Sequence, residues 1–301
     1  MLSIIIQEHN EGRERVQKML AQAAALPMDK EVIYVTSMQY KDFYSKYGPF
    51  DFKFPITVLG NVQSCGAARN AGGQYSTGDT LLYMDSHVCF NQQNLSRLLT
   101  TLEAHPNAIV APAVQAIDFP SCKTEGAIGH GVAFRFVDRP FEWVWIPAER
   151  QDKEFEVPFV CGCAFAMKKQ LFNVLAGIGG FLGAHTGLSW EEEKSMRLSR
   201  MGYPTYSEPR AIFGHYYKGY PGHTSWDQHS TAGFYLSRVI GAYINIFDQA
   251  LWNHIEQMCL KAWGDEWTKS LAFAQQNYSW LRNLMRPRTN MIDERWFLRL
   301  Q

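Results

Sequence analysis

The sequence lacks an excess of charge of either sign, because 29 Lys and Arg residues are matched by 29 Asp and Glu residues among 301. A dedicated nucleic-acid-binding protein usually carries a net basic face, so this balance argues against that class, although a local basic groove remains compatible with it. The chain is 46% hydrophobic and 19% charged. This composition excludes a largely disordered protein and is ordinary for a globular chain of one large or two small domains.

Long apolar runs are also lacking. The apolar start, residues 1–6, is interrupted at Gln7, too early to span a bilayer. It has neither a basic n-region nor a small-residue cleavage site, so it predicts a strand rather than a signal peptide. The next apolar region, 233–247, is broken by Arg238. We therefore predict no transmembrane segment and a cytoplasmic location.

The six cysteines include no C-x-x-C pair; they are Cys65, Cys89, Cys122, Cys161, Cys163 and Cys259. Cys161 and Cys163 lie within an apolar segment. Thiols in such a setting are more often small core residues than metal ligands. We predict that these two are packed in the core.

Strand-like and helix-like segments alternate through the first half of the chain. Strands are predicted at 2–7, 30–37, 56–59 and 80–85, and helices at 11–25, 42–47 and 65–75. Strands joined by crossover helices favour an α/β fold with a mostly parallel central sheet flanked by helices. Ligands in such sheets bind at the carboxyl ends of the strands.

The second half is more mixed. Further strands are predicted at 108–114, 131–137 and 155–160, and helices at 95–104 and 190–201. The Trp-rich stretch 140–147 is interpreted as a long functional loop. Residues from 230 onward are predominantly helical in pattern. We predict a catalytic domain at 1–229 and a helical C-terminal extension at 230–301.

Asp85 and His87 stand two residues apart where an apolar strand ends. A carboxylate and an imidazole at this position can share one divalent cation, and His215 follows another strand-like run, so it can supply a third ligand. A mixed oxygen and nitrogen site suits Mn²⁺ better than Ca²⁺. The alternative is a turn in which Asp85 caps the following helix.

These segments together resemble the GT-A glycosyltransferases of the family-2-like superfamily, with motifs most similar to those of the polypeptide N-acetylgalactosaminyltransferases. Residues 82–87 are similar to that family's F-L-D-S-H segment and 214–218 to its G-H-V-F-R segment. Segment 3–11 resembles the superfamily's opening, S-I-I-I-P-x-x-N-E. Segment 65–72 resembles the superfamily's helix that lies beside the nucleotide. Segments 161–167 and 179–181 resemble the part of the family's sequence on the acceptor side. The resemblance covers about residues 1–220 and implies a GT-A (Rossmann-like) fold.

The resemblance also implies a function and its residues. It implies a nucleotide-diphosphate sugar as donor, UDP-linked, with Mn²⁺ (or Mg²⁺) held by Asp85, His87 and His215. Six residues are expected to bind the donor and its cofactor: Glu8, Asn10, Arg69, Asn70, Asp85 and Trp190. Arg69 could equally form a structural ion pair.

The candidate general base lies in the run Glu191, Glu192 and Glu193. If this chain is aligned with the family on segment 195–198, Glu191 takes the position of the base. If it is aligned on Trp190, Glu193 is favoured. An inverting enzyme needs such a base to take a proton from the acceptor, whereas a retaining one does not. An ordinary acidic first turn of a helix is the alternative interpretation, and the stereochemistry stays open.

Several departures limit the resemblance. Thr36 and Ser37 stand where the superfamily usually has an acidic pair that contacts the base, so the nucleotide stays open. The helical C-terminal pattern is unlike the family's lectin domain. The acceptor could be a protein or peptide, a glycan, or a modified nucleic acid facing the Arg-rich tail. A non-catalytic sugar-nucleotide-binding module is the remaining alternative; a nucleotidyltransferase is disfavoured because 8–18 is not a Gly-rich phosphate loop.

Overall fold

The computed structural model describes residues 1–8, 11–48, 50, 53–62, 64–118, 121–136, 139–147, 152–182, 191–217, 231–287 and 294. The strands are β1 Leu2–Glu8, β2 Lys30–Thr36, β3 Ile56–Leu59, β4 Thr80–Asp85, β5 Val88–Cys89, β6 Ile109–Ile117, β7 Thr124–Gly129, β8 Val132–Arg135, β9 Glu142–Trp145, β10 Phe155–Glu156, β11 Ala164–Lys168 and β12 Thr205–His215. The helices are α1 Arg13–Ala24, α2 Tyr40–Tyr47, α3 Cys65–Tyr75, α4 Gln92–Ala104, α5 Lys169–Gly177, α6 Glu191–Arg200, α7 Thr231–Asn245, α8 Gln249–Trp263 and α9 Asp265–Met285.

The central sheet has the strand order β10-β12-β6-β11-β4-β1-β2-β3, with β5 added to β12 and β7 added to β6. Strand β1 pairs in parallel with β2 and β4, β2 with β3, and β6 with β12. Strand β11 runs antiparallel between β4 and β6. The predicted fold class, a mostly parallel sheet flanked by helices, is confirmed.

The centre of the sheet is buried on both faces. Every residue of β1 is buried, and alternate side chains join different clusters: Ile4 packs with Val16 of α1, and Ile5 packs with Ala68 of α3. Such continuously apolar strands are typical of parallel sheets covered by helices on both sides.

Helix α3 lies unusually close to the sheet because it carries glycines where it meets the sheet and α5. A Cβ at Gly72 would lie 2.3 Å from Ile5 Cγ2, and one at Gly73 would lie 2.4 Å from Phe172 Cε2. Only glycine fits at such approaches without a shift of the neighbours. The close packing sets the position of Arg69 on the same helix.

The C-terminal region is helical, as predicted. Helices α7, α8 and α9 share one apolar cluster with Val132, Phe134, Phe159 and Met196 from the preceding part of the chain, and Trp267 is 1% exposed in it. No helix within the described ranges is both long and apolar enough to cross a membrane. The predicted boundary at 229/230 lies outside the described residues, so it stays a prediction.

Two features were not foreseen. The stretch 140–147, predicted as a loop, contains strand β9, which pairs antiparallel with β8. That prediction was wrong because it gave weight to the tryptophans as functional groups and none to their strand propensity in the alternating Glu-Trp-Val-Trp run. A disulfide joins Cys89 to Cys122, a pairing that no local sequence pattern indicates.

Candidate metal and donor site

Asp85 lies at the carboxyl end of β4, near the middle of the sheet. Its backbone N–H donates to Cys163 O at 2.9 Å, and the next N–H, of Ser86, donates to Gln7 O at 3.2 Å. The acceptors of these bonds lie in β1 and just before β11, the strands on either side of β4. They hold the turn that follows Asp85 at the edge where α/β sheets bind ligands.

His87 and His215 come together because the two-residue strand β5 pairs with the end of β12. Val88 lies opposite His215 in this antiparallel pair, and Tyr216 N donates to His87 O at 3.2 Å. Gly214 leaves the necessary room, since a Cβ there would lie 2.4 Å from Ile117 Cγ2. The pairing places two imidazoles from distant parts of the chain side by side.

Asp85, His87 and His215 each offer one ligand atom, and these atoms all lie within 4.8 Å of one another. Asp85 Oδ2 is 3.4 Å from His215 Nε2 and 3.9 Å from His87 Nε2. The three side chains are 22%, 13% and 11% exposed in the order Asp85, His87, His215. One carboxylate and two imidazoles converging on a partly open point fit a divalent cation such as Mn²⁺ with positions left for another ligand.

The electrostatics of this cluster keep Asp85 ionised. Burial raises the pKa of Asp85, but the hydrogen bond to His215 and the charges of His87, His215 and Arg69 outweigh burial and bring the pKa to about 2. A carboxylate in this state is ready to bind a cation without first losing a proton.

Two residues that sequence reasoning missed contact the predicted ligands. Gln7 Nε2 donates to Asp85 Oδ1, and Gln7 Oε1 accepts from Cys65 Sγ at 3.0 Å. Glu11 Oε1 lies 2.9 Å from His87 Nδ1. The parallel register, which sets Gln7 beside Asp85, was the available signal for the first contact.

Two of the predicted donor-binding residues, Glu8 and Asn70, make contacts inside the protein. Glu8 is 0% exposed, and its carboxylate accepts from Thr36 Oγ1 and Glu11 N. Asn70 pairs with the backbone of Phe181 through both ends of its amide, at 2.9 and 3.1 Å. These hydrogen bonds join each of the two residues to other parts of the fold.

Arg69 is 2% exposed. Its Nη2 donates to Gly162 O at 2.7 Å, and its guanidinium lies 5.4 Å from the ring centre of Phe165. It also contributes to the low pKa of Asp85. Arg69 therefore supports the segment that holds Asp85 and adds positive charge at this end of the sheet.

The described glutamates of α6 have different environments. Glu193 binds Arg197 through both oxygens, at 2.7 and 3.1 Å, and Arg197 also donates to the carbonyls of Ile178 and Gly180. Glu192 is 3% exposed, accepts a hydrogen bond from the Trp143 side chain, and its Oε2 has no hydrogen-bond partner among the described residues. Burial raises the pKa of Glu192 despite the opposing charge of Arg238.

The remaining predicted site residues lie outside the described part of the chain. They are Asn10, Trp190 and the side chain of Glu191. The structure thus brings together the predicted metal ligands and gives Glu192 and Glu193 different surroundings. It also shows three contacts to these residues: Gln7 with Asp85, Glu11 with His87, and Trp143 with Glu192.

Comparison with known families and proteins agrees with this geometry. The pattern described as glycosyl transferase family 2 matches residues 3–175. An uncharacterized glycosyltransferase of Haemophilus influenzae is 29% identical over 183 residues, which is 59% of this chain and 56% of that protein. N-acetylgalactosaminyltransferase 6 of Drosophila melanogaster is 28% identical over 205 residues, 63% of this chain and 29% of that protein. The chain therefore spans about half or less of the length of these relatives.

A solved structure described as GalNAc-T7 with UDP, GalNAc and Mn²⁺ superposes with a TM-score of 0.71. The match covers 99% of this chain and 56% of that one, at 17% identity. At this identity the superposition shows a shared fold. It confirms the GT-A architecture, including the helical C-terminal region.

Proposed function

Because the chain belongs to glycosyl transferase family 2, we propose that it transfers a sugar from a UDP-linked donor to an acceptor hydroxyl in a metal-dependent reaction. The transferred group is a hexose or an N-acetylhexosamine, and the relatives named N-acetylgalactosaminyltransferases favour the N-acetylhexosamine. UDP and Mn²⁺ are carried over from the printed description of the GalNAc-T7 structure.

The observation that carries this proposal is the convergence of Asp85, His87 and His215 at the carboxyl edge of the sheet. These three residues would hold the cation, which when bound stabilises negative charge on the leaving diphosphate as a Lewis acid. Arg69 adds a fixed positive charge close enough to Asp85 to help lower the pKa of Asp85. A preorganised set of charges of this kind lowers the barrier without reorganisation during the reaction.

Among the glutamates whose side chains the structure describes, we assign the role of general base to Glu192. Its Oε2 has no hydrogen-bond partner among those residues, whereas both oxygens of Glu193 bind Arg197. A raised pKa strengthens Glu192 as a proton acceptor once it is ionised. The partly exposed Trp143, which donates to Glu192, then borders the approach of the acceptor.

We propose a protein or peptide side chain as the acceptor, because several relatives are named polypeptide N-acetylgalactosaminyltransferases. A modified nucleic acid is less well supported by the described residues. Arg282, at the start of the Arg-rich tail, donates to the carbonyls of Tyr243 and Ile246 at the end of α7. This arginine therefore helps to hold the helices together.

The first experiment is a thermal unfolding series with UDP, GDP, CDP and dTDP, each with and without Mn²⁺. A ligand at 100 times its dissociation constant stabilises the native state by about 2.7 kcal/mol, which raises the midpoint by several degrees. We expect a shift with UDP that requires Mn²⁺ and is lost in Asp85→Ala. The matched control is Asp29→Ala, since Asp29 is an exposed aspartate before β2.

Each outcome has a distinct meaning. A shift with another nucleotide would overturn the choice of UDP, and no shift with any of the four would overturn the sugar-nucleotide proposal. A metal-dependent UDP shift without release of UDP from UDP-sugars in the presence of peptide acceptors would favour a non-catalytic binding module.

A further inference from the structure

Glu11 lies directly behind the candidate metal cluster. Its Oε1 is 2.9 Å from His87 Nδ1, while His87 Nε2 faces Asp85 at 3.9 Å. The carboxylate of Glu11 is 1% exposed, whereas His87 is 13% exposed. The two ring nitrogens of His87 thus point to different partners, one buried and one toward the open cluster.

We propose that Glu11 is a positioning residue that fixes His87 as the tautomer with its proton on Nδ1, leaving the Nε2 lone pair free to bind the cation. A carboxylate accepts hydrogen bonds and donates none, so a neutral His87 beside Glu11 must carry its proton on Nδ1. A ligating histidine is commonly oriented in this way by a carboxylate outside the coordination sphere. This inference rests on the proposed metal-dependent function.

Glu11 is itself held from behind by a buried network. Its N–H donates to Glu8 Oε1 at 2.7 Å, and Tyr47 Oη lies 2.8 Å from its carbonyl oxygen and 3.0 Å from Glu8 Oε1. Thr36 Oγ1 donates to the other oxygen of Glu8 at 2.5 Å. Glu8 therefore holds the backbone of Glu11 in place, a structural role that the sequence did not predict.

The second oxygen of Glu11 binds Arg15, which contacts the residue after His215. Arg15 Nη1 donates to Glu11 Oε2 at 2.8 Å, and the Arg15 guanidinium lies 4.6 Å from the ring centre of Tyr216. Tyr216 follows His215 and donates its N–H to His87 O. Glu11, Arg15 and Tyr216 therefore close a ring of contacts around the two histidines, which we call the histidine clamp.

The test replaces Glu11 with glutamine, which has nearly the same shape and can donate as well as accept. We expect Glu11→Gln to weaken Mn²⁺ binding about 10- to 100-fold, the usual effect of losing such a partner. Isothermal titration calorimetry measures this affinity directly and does not depend on catalytic activity. Glu14→Gln changes an exposed glutamate in the first turn of α1, the helix that follows Glu11; it is the matched control and should bind Mn²⁺ like the wild type.

A second readout separates positioning from a merely structural role. In metal-free protein at about pH 8, where imidazoles are commonly neutral, two-bond ¹⁵N–¹H NMR correlations report which ring nitrogen of His87 carries the proton. We expect the Nδ1–H tautomer in the wild type and a mixture in Glu11→Gln. Arg15→Ala, which removes the hydrogen bond from Arg15 to Glu11 Oε2, should give a smaller loss of affinity.

The two measurements distinguish a failure of the role assigned to Glu11 from a failure of the proposed metal-dependent function. The Nε2–H tautomer in the wild type, or unchanged Mn²⁺ affinity in Glu11→Gln, would overturn the role of Glu11. Absence of Mn²⁺ binding by the wild type would instead overturn the proposed function, and the NMR signal of the metal-free protein would still report on Glu11.

Discussion

At the residue scale, neighbouring glutamates of α6 have opposite surroundings. Glu193 is bound by the buried Arg197, which also donates to Gly180 O, whereas Glu192 accepts a hydrogen bond from Trp143 and its Oε2 has no hydrogen-bond partner in the described part of the chain. An oxygen without a partner can accept a proton from a substrate, while a paired carboxylate mainly stabilises the fold.

This contrast predicts different effects of the same substitution. Glu192→Gln should lower kcat about 10²- to 10⁴-fold, the usual contribution of a general base, with little change in thermal stability. Glu193→Gln should mainly lower the free energy of unfolding, by about 3–5 kcal/mol, because it leaves Arg197 buried without its counter-charge. Steady-state kinetics and denaturant unfolding of both variants provide the check; the reverse pattern would exchange the two roles.

Glu31 offers a pH-dependent prediction away from the site. Burial raises the pKa of Glu31, but hydrogen bonds from Ser3, Thr77 and Gly78 outweigh it and leave the pKa below its ordinary value of 4.5. A pKa lowered by folding stabilises the native state above pH 4.5, and this contribution is lost as the pH falls through the folded-state value.

We therefore expect Glu31→Gln to reduce the free energy of unfolding by about 1.5–3 kcal/mol at pH 7, as for hydrogen bonds to a charged group. The difference from the wild type should shrink as the pH falls toward 3. Urea unfolding at several pH values measures it. Glu125→Gln, an exposed glutamate on β7, should show no such trend, and a pH-independent difference for Glu31→Gln would contradict the assignment.

At the scale of elements, the site depends on how closely α3 approaches the sheet and α5. Gly73→Ala should destabilise the protein by about 1–3 kcal/mol, because the new methyl group would lie 2.4 Å from Phe172 and 2.5 Å from Tyr83 Oη. Gly177→Ala, where a Cβ has no atom within 4 Å, should be neutral or stabilising by up to about 1 kcal/mol. Thermal unfolding of the pair tests the packing, and equal effects would argue against it.

The same scale shows what the sequence could and could not predict. Asp85 and His87 were recognisable because a carboxylate and an imidazole follow a clear apolar strand, and His215 follows another. The contact between the histidines depends on β5, only two residues long, pairing with β12. So short a strand has no periodicity to detect. Glu11 was missed because its partner is 76 positions away.

At the scale of the whole molecule, the Cys89–Cys122 disulfide ties the strand after His87 to the hairpin between β6 and β7. Among the described residues, the cysteines outside this bond are Cys65, Cys161, Cys163 and Cys259. The predicted core positions of Cys161 and Cys163 agree with their burial. Disulfides persist mainly in oxidising compartments, which is at odds with the cytoplasmic location predicted from the sequence; that location stays a prediction.

The disulfide can be tested directly. Thiol titration of the denatured, unreduced protein should find four reactive groups among the six cysteines. Replacing both Cys89 and Cys122 with serine should lower the free energy of unfolding by about 3–4 kcal/mol, the loop-closure value for a separation of 33 residues. Six reactive thiols in protein purified without reductant would contradict the bond.

The ligand set also has a consequence for the order of events during synthesis. Asp85 and His87 are translated roughly 130 residues before His215. At about 5–20 residues per second, that interval lasts roughly 6–26 s. The end of β12 with which β5 pairs, Gly214 and His215, is made only at the close of this interval. A nascent chain therefore cannot assemble the full candidate ligand set, and under the proposed function the cation would bind only after translation of β12.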